Sequence, residues 1–140
     1  MTTIAYKDGI VAADSRMTQN DIILSDSFDK IIVREGATFA LAGQPGDYEA
    51  AIDAFLTNRK TKNLIISGVV FYLGDIYGIG CDEEEGFWKE KFDANTPYAS
   101  GSGKTYALTA MDMGASAKEA VKMAIKRDVY SGGKIKTAKL

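Results

Sequence analysis

A chain without histidine must find its acid–base chemistry elsewhere. This sequence of 140 residues has no histidine and one cysteine, Cys81. A serine–histidine–aspartate triad, a cysteine–histidine pair, a histidine-ligated metal site and a structural zinc cluster are therefore excluded within it. The bases that remain are a carboxylate, a lysine amine and the chain's own α-amine. Three residues are candidates for such chemistry: Thr2, Asp14 and Lys30. Asp14 follows four apolar residues, Ile10-Val11-Ala12-Ala13, and an acid there needs a partner if it is buried. Lys30 is the natural partner. Desolvation makes a buried lysine–aspartate pair a weak source of stability, so the pair makes better sense as an electrostatic device. A lysine cation beside a hydroxyl and an α-amine favours the alkoxide and the neutral amine. An α-amine has an unperturbed pKa of about 7.7–8.0. A neighbouring cation lowers it toward the range of a general base at neutral pH. Threonine activated by its own terminal amine is a known kind of nucleophile, and Thr2 gains that amine when Met1 is removed. Alone, a threonine in a first strand is ordinary. Asp14 and Lys30 give Thr2 its meaning.

The elements that must carry these residues can be read from pattern. Residues 2–6 and 10–13 read as strands around the turn Lys7-Asp8-Gly9. Residues 28–33 and 38–42 read as a second pair around Arg34-Glu35-Gly36. Pro45-Gly46-Asp47 opens a helix to about Asn58, with Ala51, Ala54 and Phe55 as its apolar stripe. Residues 64–80 are strand-rich with a turn near Gly74-Asp75, and residues 87–92 form a further strand. Residues 103–113 are helical and stop at Gly114. Ser116 and Glu119 make the capping box of a last helix, whose apolar face carries Ala117, Ala120, Val121, Ala124 and Ile125. No repeat, low-complexity tract or linker divides the chain, so residues 1–140 are expected to be a single domain. Two packed sheets with helices outside satisfy this order.

Composition narrows the classes. The net charge of -2 gives no pull toward nucleic acid or an anionic membrane. No stretch approaches the ~20 apolar residues of a membrane span, and no signal peptide is visible. A lone cysteine fits a reducing cytoplasm. The acidic run at residues 82–85 reads as a solvated turn rather than a metal site. Ser102-Gly103-Lys104-Thr105 suggests a phosphate loop, but the required earlier glycine position holds Tyr98. Phe87 and Trp88 read as sheet packing, without the basic surroundings of a base-stacking platform. Neither a cofactor nor a metal is expected.

Several runs taken together resemble proteasome β subunits and the HslV-like peptidases. They are Thr2-Thr3-Ile4, Ala12-Ala13-Asp14-Ser15-Arg16, Asp29-Lys30-Ile31, Ala40-Leu41-Ala42-Gly43, Ser100-Gly101-Ser102-Gly103, and Arg127-Asp128-Val129-Tyr130-Ser131-Gly132-Gly133. The similarity spans nearly the whole chain in the family's order. It implies an α+β fold, the αββα four-layer sandwich of N-terminal-nucleophile (Ntn) hydrolases, with a shortened helical layer. It implies a threonine peptidase acting on peptides or unfolded protein, with Thr2 as nucleophile and base, and Asp14 and Lys30 as the charge pair. Gly43 would donate its N–H to the oxyanion, and Ser102, Asp128 and Ser131 would order the amine and the nucleophilic water. By the same resemblance Met17, Phe28, Leu41 and Pro45 would line the substrate pocket. A homo-oligomer and an ATP-dependent unfoldase partner are further implications. Two other readings stay open: a non-catalytic structural subunit of the same fold, and a small-molecule amidohydrolase.

The sequence also departs from that family. The hairpin at residues 7–9 is four residues shorter than usual. The second helix after the glycine turn is missing or reduced to a turn at residues 59–63, which puts stacking of two rings in question. The last strands are expected to be truncated after Gly133.

Overall fold

The two-residue turns that the sequence advertises set the first pairings. A computed structural model describes residues 2–140; the expected removal of Met1 lies outside them. Strands β1 (Ile4–Lys7) and β2 (Ile10–Ala13) meet through Asp8-Gly9, both at positive φ, 51° and 80°. That geometry matches the twist of a tight hairpin and explains the Asp-Gly pair. A second hairpin, β3 (Met17–Gln19) and β4 (Ile22–Ser25), stands apart as a two-stranded sheet. Strands β5 (Ile31–Arg34), β6 (Ala37–Gly43), β7 (Ile66–Tyr72), β8 (Asp75–Asp82) and β9 (Gly86–Phe92) form an antiparallel five-stranded meander. Between β6 and β7 lie a 3-10 turn at Pro45–Asp47 and helix α1 (Tyr48–Thr57), which ends on left-handed Asn58. Strand β10 (Tyr98–Ser100) precedes helices α2 (Lys104–Asp112) and α3 (Ala117–Arg127). Both bonds of the Ser116–Glu119 capping box are present. Strand β11 (Lys136–Lys139) closes the chain.

The four-stranded sheet has the order β10-β1-β2-β11. The first hairpin is thus flanked on both sides by strands from the end of the chain, with Ile4 opposite Ser100 and Ala13 opposite Lys136. Strand alternation splits the apolar residues into three clusters. Ile4, Tyr6, Val11 and Ala13 meet Ala40, Ala42, Val69, Phe71 and Ile76 between the two sheets. Ala5 and Ala12 point the other way, onto Ala107, Met111, Ala120, Val121 and Ala124 of the last two helices. Phe39, Leu41, Val70 and Ile79 pack the opposite face of the larger sheet against Ala51, Ile52 and Phe55 of α1.

Three features differ from the sequence expectations. The strand expected at residues 28–33 begins only at Ile31, because residues 28–30 run irregularly beside the first hairpin. The hairpin of β3 and β4 was not anticipated. Its Ile22, Ile23 and Leu24 are 65%, 51% and 52% exposed, so no buried face imposes an alternating pattern. Strand β10 has only three residues and escaped notice for that reason. In the tail, where truncated strands are expected, a four-residue strand β11 pairs with β2 along its whole length. Residues 59–65 contain no helix, in keeping with the shortened segment.

Phe55 centres the cluster under α1. Its ring meets Phe39, Tyr72 and Tyr77 edge-on at centroid distances of 5.5, 5.8 and 5.3 Å, and Lys89 Nζ lies 4.4 Å from its centroid. Phe55→Ala should cost about 3–5 kcal/mol, the transfer term plus the cavity left behind. Equilibrium urea denaturation measures this, and a loss below about 1 kcal/mol would mean that Phe55 is not a core residue in solution.

Candidate active site

The end of the first hairpin delivers two candidate residues side by side. Extending the register of Ile4 with Ala13 places Thr3 opposite Asp14, and the Asp14 N–H donates to the Thr3 carbonyl at 3.3 Å. Asp14 is fully buried and its carboxylate is saturated with donors. Oδ1 accepts from Lys30 Nζ at 2.8 Å and the Thr3 N–H at 3.0 Å; Oδ2 accepts from the Gly132 N–H at 2.9 Å and the Arg16 N–H at 3.2 Å. Four donors, one of them cationic, offset the desolvation of a buried carboxylate.

Lys30 Nζ also donates to Thr2 Oγ1 at 2.9 Å. The lysine is buried, and burial pushes its amine below the ordinary lysine range, with Asp14 partly opposing that fall. A cation on a hydroxyl oxygen favours its deprotonated form. The Thr2 backbone nitrogen, meanwhile, donates to Ser102 Oγ at 3.0 Å. Ser102 Oγ donates to Asp128 Oδ2 at 2.6 Å, and Ser131 Oγ donates to the same oxygen at 2.7 Å. Burial pushes the Asp128 carboxyl up. The bonds from Ser102, Ser131 and the Tyr130 N–H outweigh burial and hold it below the usual aspartate value.

Thr2, Asp14, Lys30, Ser102, Asp128 and Ser131 therefore form one hydrogen-bonded cluster, although the sequence scatters them along the chain. Above it opens a cleft of about 830 Å³. Thr2, Lys30, Gly43 and Ser102 line it, as do Met17, Phe28 and Pro45. Gly43 has φ 117°, and a Cβ there would collide with the Ile65 carbonyl, so no larger residue fits the turn between β6 and the 3-10 segment. Among the described residues no group of three or more histidine, cysteine, aspartate or glutamate side chains could hold a metal. No helix among them is long and apolar enough to cross a membrane.

Leu41 is a correction. It was expected in the substrate pocket, but it is fully buried and packs toward α1 with Phe39 and Tyr48. In β6 the side chains of Phe39 and Leu41 share one face and those of Ala40 and Ala42 the other; Leu41 belongs to the same cluster as Phe28 and Tyr48, which line the cleft, but does not itself line it. Tyr48 lines the cleft instead, with its hydroxyl donating to the Leu41 carbonyl at 3.0 Å and its ring 6.0 Å from that of Phe28. Burial holds its phenol far above the ordinary range, so it stays neutral. No sequence pattern distinguished Tyr48 from a helix-start residue. Arg16, Gly132 and Tyr130 were also missed as individuals, although each stands in one of the runs singled out. The Arg16 guanidinium pairs with Asp26 and donates to the Val129 carbonyl at 3.1 Å. It lies so close to the Gly132 Cα that any side chain there would strike it.

The Lys30–Asp14 pair gives a clear expectation. Lys30→Ala leaves a buried carboxylate without its cation and should cost about 3–5 kcal/mol. Replacing both residues by apolar ones of similar volume should be markedly less harmful, since no unpaired charge remains. Denaturant midpoints of the two variants decide this, and a double variant less stable than Lys30→Ala would show that the pair itself is the stabilising element.

Comparison with solved structures places the fold. Thiobacillus denitrificans BPH in complex with epoxomicin superposes with a TM-score of 0.72 at 20% identity, covering 99% of this chain and 97% of that one. Thiobacillus denitrificans BPH gives 0.73 at 18% identity, covering 99% and 96%. Eukaryotic HslV from Trypanosoma brucei gives 0.71 at 17% identity, covering 99% of each chain. The sequence matches no family profile and no curated protein. Over nearly its full length, and despite low identity, the chain has the mixed α/β fold of these proteins.

Proposed function

We propose that this chain is a threonine peptidase in which Thr2 Oγ1 is the nucleophile. The observation that carries the reading is the single hydroxyl oxygen held 2.9 Å from a buried lysine cation, on a residue whose nitrogen is 3.0 Å from an aspartate-backed serine. The stacking order of the three apolar clusters fits an αββα sandwich of the Ntn type, formed by residues 1–140 as one domain. Removal of Met1 turns the Thr2 nitrogen into an amine. That amine takes the proton from Oγ1 as the oxygen attacks a peptide carbonyl carbon. The Gly43 N–H receives the charge that develops on the carbonyl oxygen. The amine passes the proton to the departing peptide nitrogen, leaving an ester on Thr2. Water, deprotonated by the same amine, then cleaves the ester. Lys30, held in place by Asp14, keeps the amine neutral and favours the alkoxide, and Ser102, Asp128 and Ser131 orient the nitrogen. The substrate class is peptides or unfolded protein. A homo-oligomer served by an ATP-dependent unfoldase accords with the fold neighbours, and the missing helix at residues 59–65 favours an assembly other than a stacked double ring.

Epoxomicin, which Thiobacillus denitrificans BPH binds, is the direct probe. Intact-mass spectrometry should show a chain lacking Met1 with one adduct, located at Thr2 by peptide mapping. Thr2→Ala should show no adduct and no peptide hydrolysis. Turnover by Thr2→Ala equal to that of the parent chain would sink this reading.

The cleft wall sets an expected selectivity. Met17, Phe28, Pro45 and Tyr48 offer no charge to a substrate side chain, while Arg16 and Asp21 at the cleft margin are engaged by Asp26 and by the Tyr130 hydroxyl. Burying a charged P1 side chain against that wall costs several kcal/mol. Cleavage after neutral residues such as leucine should therefore dominate. Tyr48 and Phe28 limit depth, so tryptophan should be cut more slowly than leucine, by a margin of about 1–3 kcal/mol. Fluorogenic peptides differing only at P1 test this, and preference for arginine or glutamate would contradict it.

A further inference from the structure

Thr3 joins two carboxylate centres. Its N–H donates to Asp14 Oδ1 at 3.0 Å, the oxygen that also takes Lys30 Nζ. Its hydroxyl lies 2.7 Å from Ser131 Oγ. The residue is fully buried, and a Cβ on Gly103 would collide with that hydroxyl, so the space around it is filled by protein.

Proton counting fixes the direction of the Thr3–Ser131 contact. An ionised carboxylate only accepts, and each serine hydroxyl has one proton to give. Asp128 Oδ2 takes the proton of Ser131 at 2.7 Å and that of Ser102 at 2.6 Å. Ser131 therefore has none left for Thr3, and the Thr3 hydroxyl must donate to Ser131. By the same count Ser102 faces the Thr2 nitrogen as an acceptor. Among the described residues, a second acceptor within reach of the Ser102 proton is the Thr2 carbonyl, 3.3 Å away. The donors thus converge on Asp128 from both sides: Thr3 through Ser131, and the Thr2 nitrogen through Ser102.

We infer that Thr3 is a positioning residue for its neighbour: its hydroxyl orients Ser131 toward Asp128, and Asp128 in turn holds Ser102 with a lone pair facing the Thr2 nitrogen. The catalytic consequence rests on the peptidase reading above; the geometric one does not. Linked hydrogen bonds polarise one another, so the Ser131 bond to Asp128 weakens when Thr3 no longer donates to it. Among the described residues Asp128 also faces the Tyr130 N–H, the cations Arg16 and Lys30, and, around the adjoining pocket, Lys126, Arg127 and Asp21. All of these are unchanged when the Thr3 hydroxyl is replaced, so a difference between Thr3 variants reports the hydroxyl.

Thr3→Val keeps the shape and removes the donor; Thr3→Ser keeps the donor. In carbon-13 NMR of the full chain labelled at aspartate, the Asp128 carboxyl should titrate about 0.5–1 pH unit higher in Thr3→Val, with Thr3→Ser matching the parent. Against the best peptide, Thr3→Val should lower kcat about tenfold with KM nearly unchanged, and Thr3→Ser should restore most of it. An Asp128 titration identical in Thr3→Val and the parent overturns the inference. A raised titration in a chain that hydrolyses nothing upholds the positioning role and removes the peptidase reading instead. Should Thr3→Val fail to fold, Thr3→Ala removes the same hydroxyl while leaving the Ser131 bond to Asp128 in place, and should raise the Asp128 titration likewise; an unchanged titration there also overturns the inference.

Discussion

The site depends on one buried ion pair. Lys30 and Asp14 are both almost wholly removed from water and sit 2.8 Å apart. Such a pair gives little stability by itself, because removing two ions from water costs nearly as much as their attraction returns. Its value lies in what it fixes. A buried carboxylate needs donors for its lone pairs, and Asp14 draws in Lys30, the Thr3 and Arg16 amides and the Gly132 amide from three separate parts of the chain. The carboxylate is the common point of the first hairpin, the irregular stretch before β5 and the loop after α3. Lys30, once anchored, has a donor left for Thr2 Oγ1.

A second carboxylate repeats the logic with neutral partners. Asp128 gathers two serine hydroxyls and the Tyr130 N–H and is held ionised by them against its own burial. The two centres differ in consequence. The one with a lysine acts on an oxygen, by placing positive charge beside it. The one without acts on a nitrogen, by dictating which way hydroxyl protons point. In the proposed peptidase, nucleophile and base belong to the same residue, Thr2, and their separate electrostatic needs are met from opposite sides.

What could be read in advance follows from how local each cause is. The Asp8-Gly9 and Glu35-Gly36 turns were legible because positive φ at both positions is a demand that few residues meet. The Ser116 capping box was legible because its two bonds lie within three residues of each other. Asp14 stood out because a charge closing an apolar run needs an explanation. The hairpin of β3 and β4 was hidden, since its exposed isoleucines and leucine obey no inside–outside alternation. Strands β10 and β11 are short and owe their conformation to β1 and β2, which lie far away in sequence. Leu41 was assigned to the pocket by its place before the glycine turn in the family resemblance, and that resemblance does not say how deeply the side chain is buried; here it is fully buried among Phe39, Tyr48 and Phe28 and is not on the cleft surface. Thr3, beside the proposed nucleophile, carried no sequence signal of its own, since its partner Ser131 is 128 positions away.

The order of the strands β10-β1-β2-β11 has a bearing on biosynthesis. The first hairpin leaves the ribosome early, but its neighbours in the sheet are the much later strands β10 and β11, and the Thr2 nitrogen finds Ser102 100 positions later. Contacts that distant are slow to close and give no return until both partners exist. At ordinary elongation rates of ~5–20 residues per second, the hairpin waits several seconds for β10, the 128–133 loop and β11. An unfinished chain therefore cannot assemble the Thr2 cluster. In the proposed peptidase, topology itself acts as a timer, because the Thr2 cluster stays unassembled until the segments that follow β10 have been made.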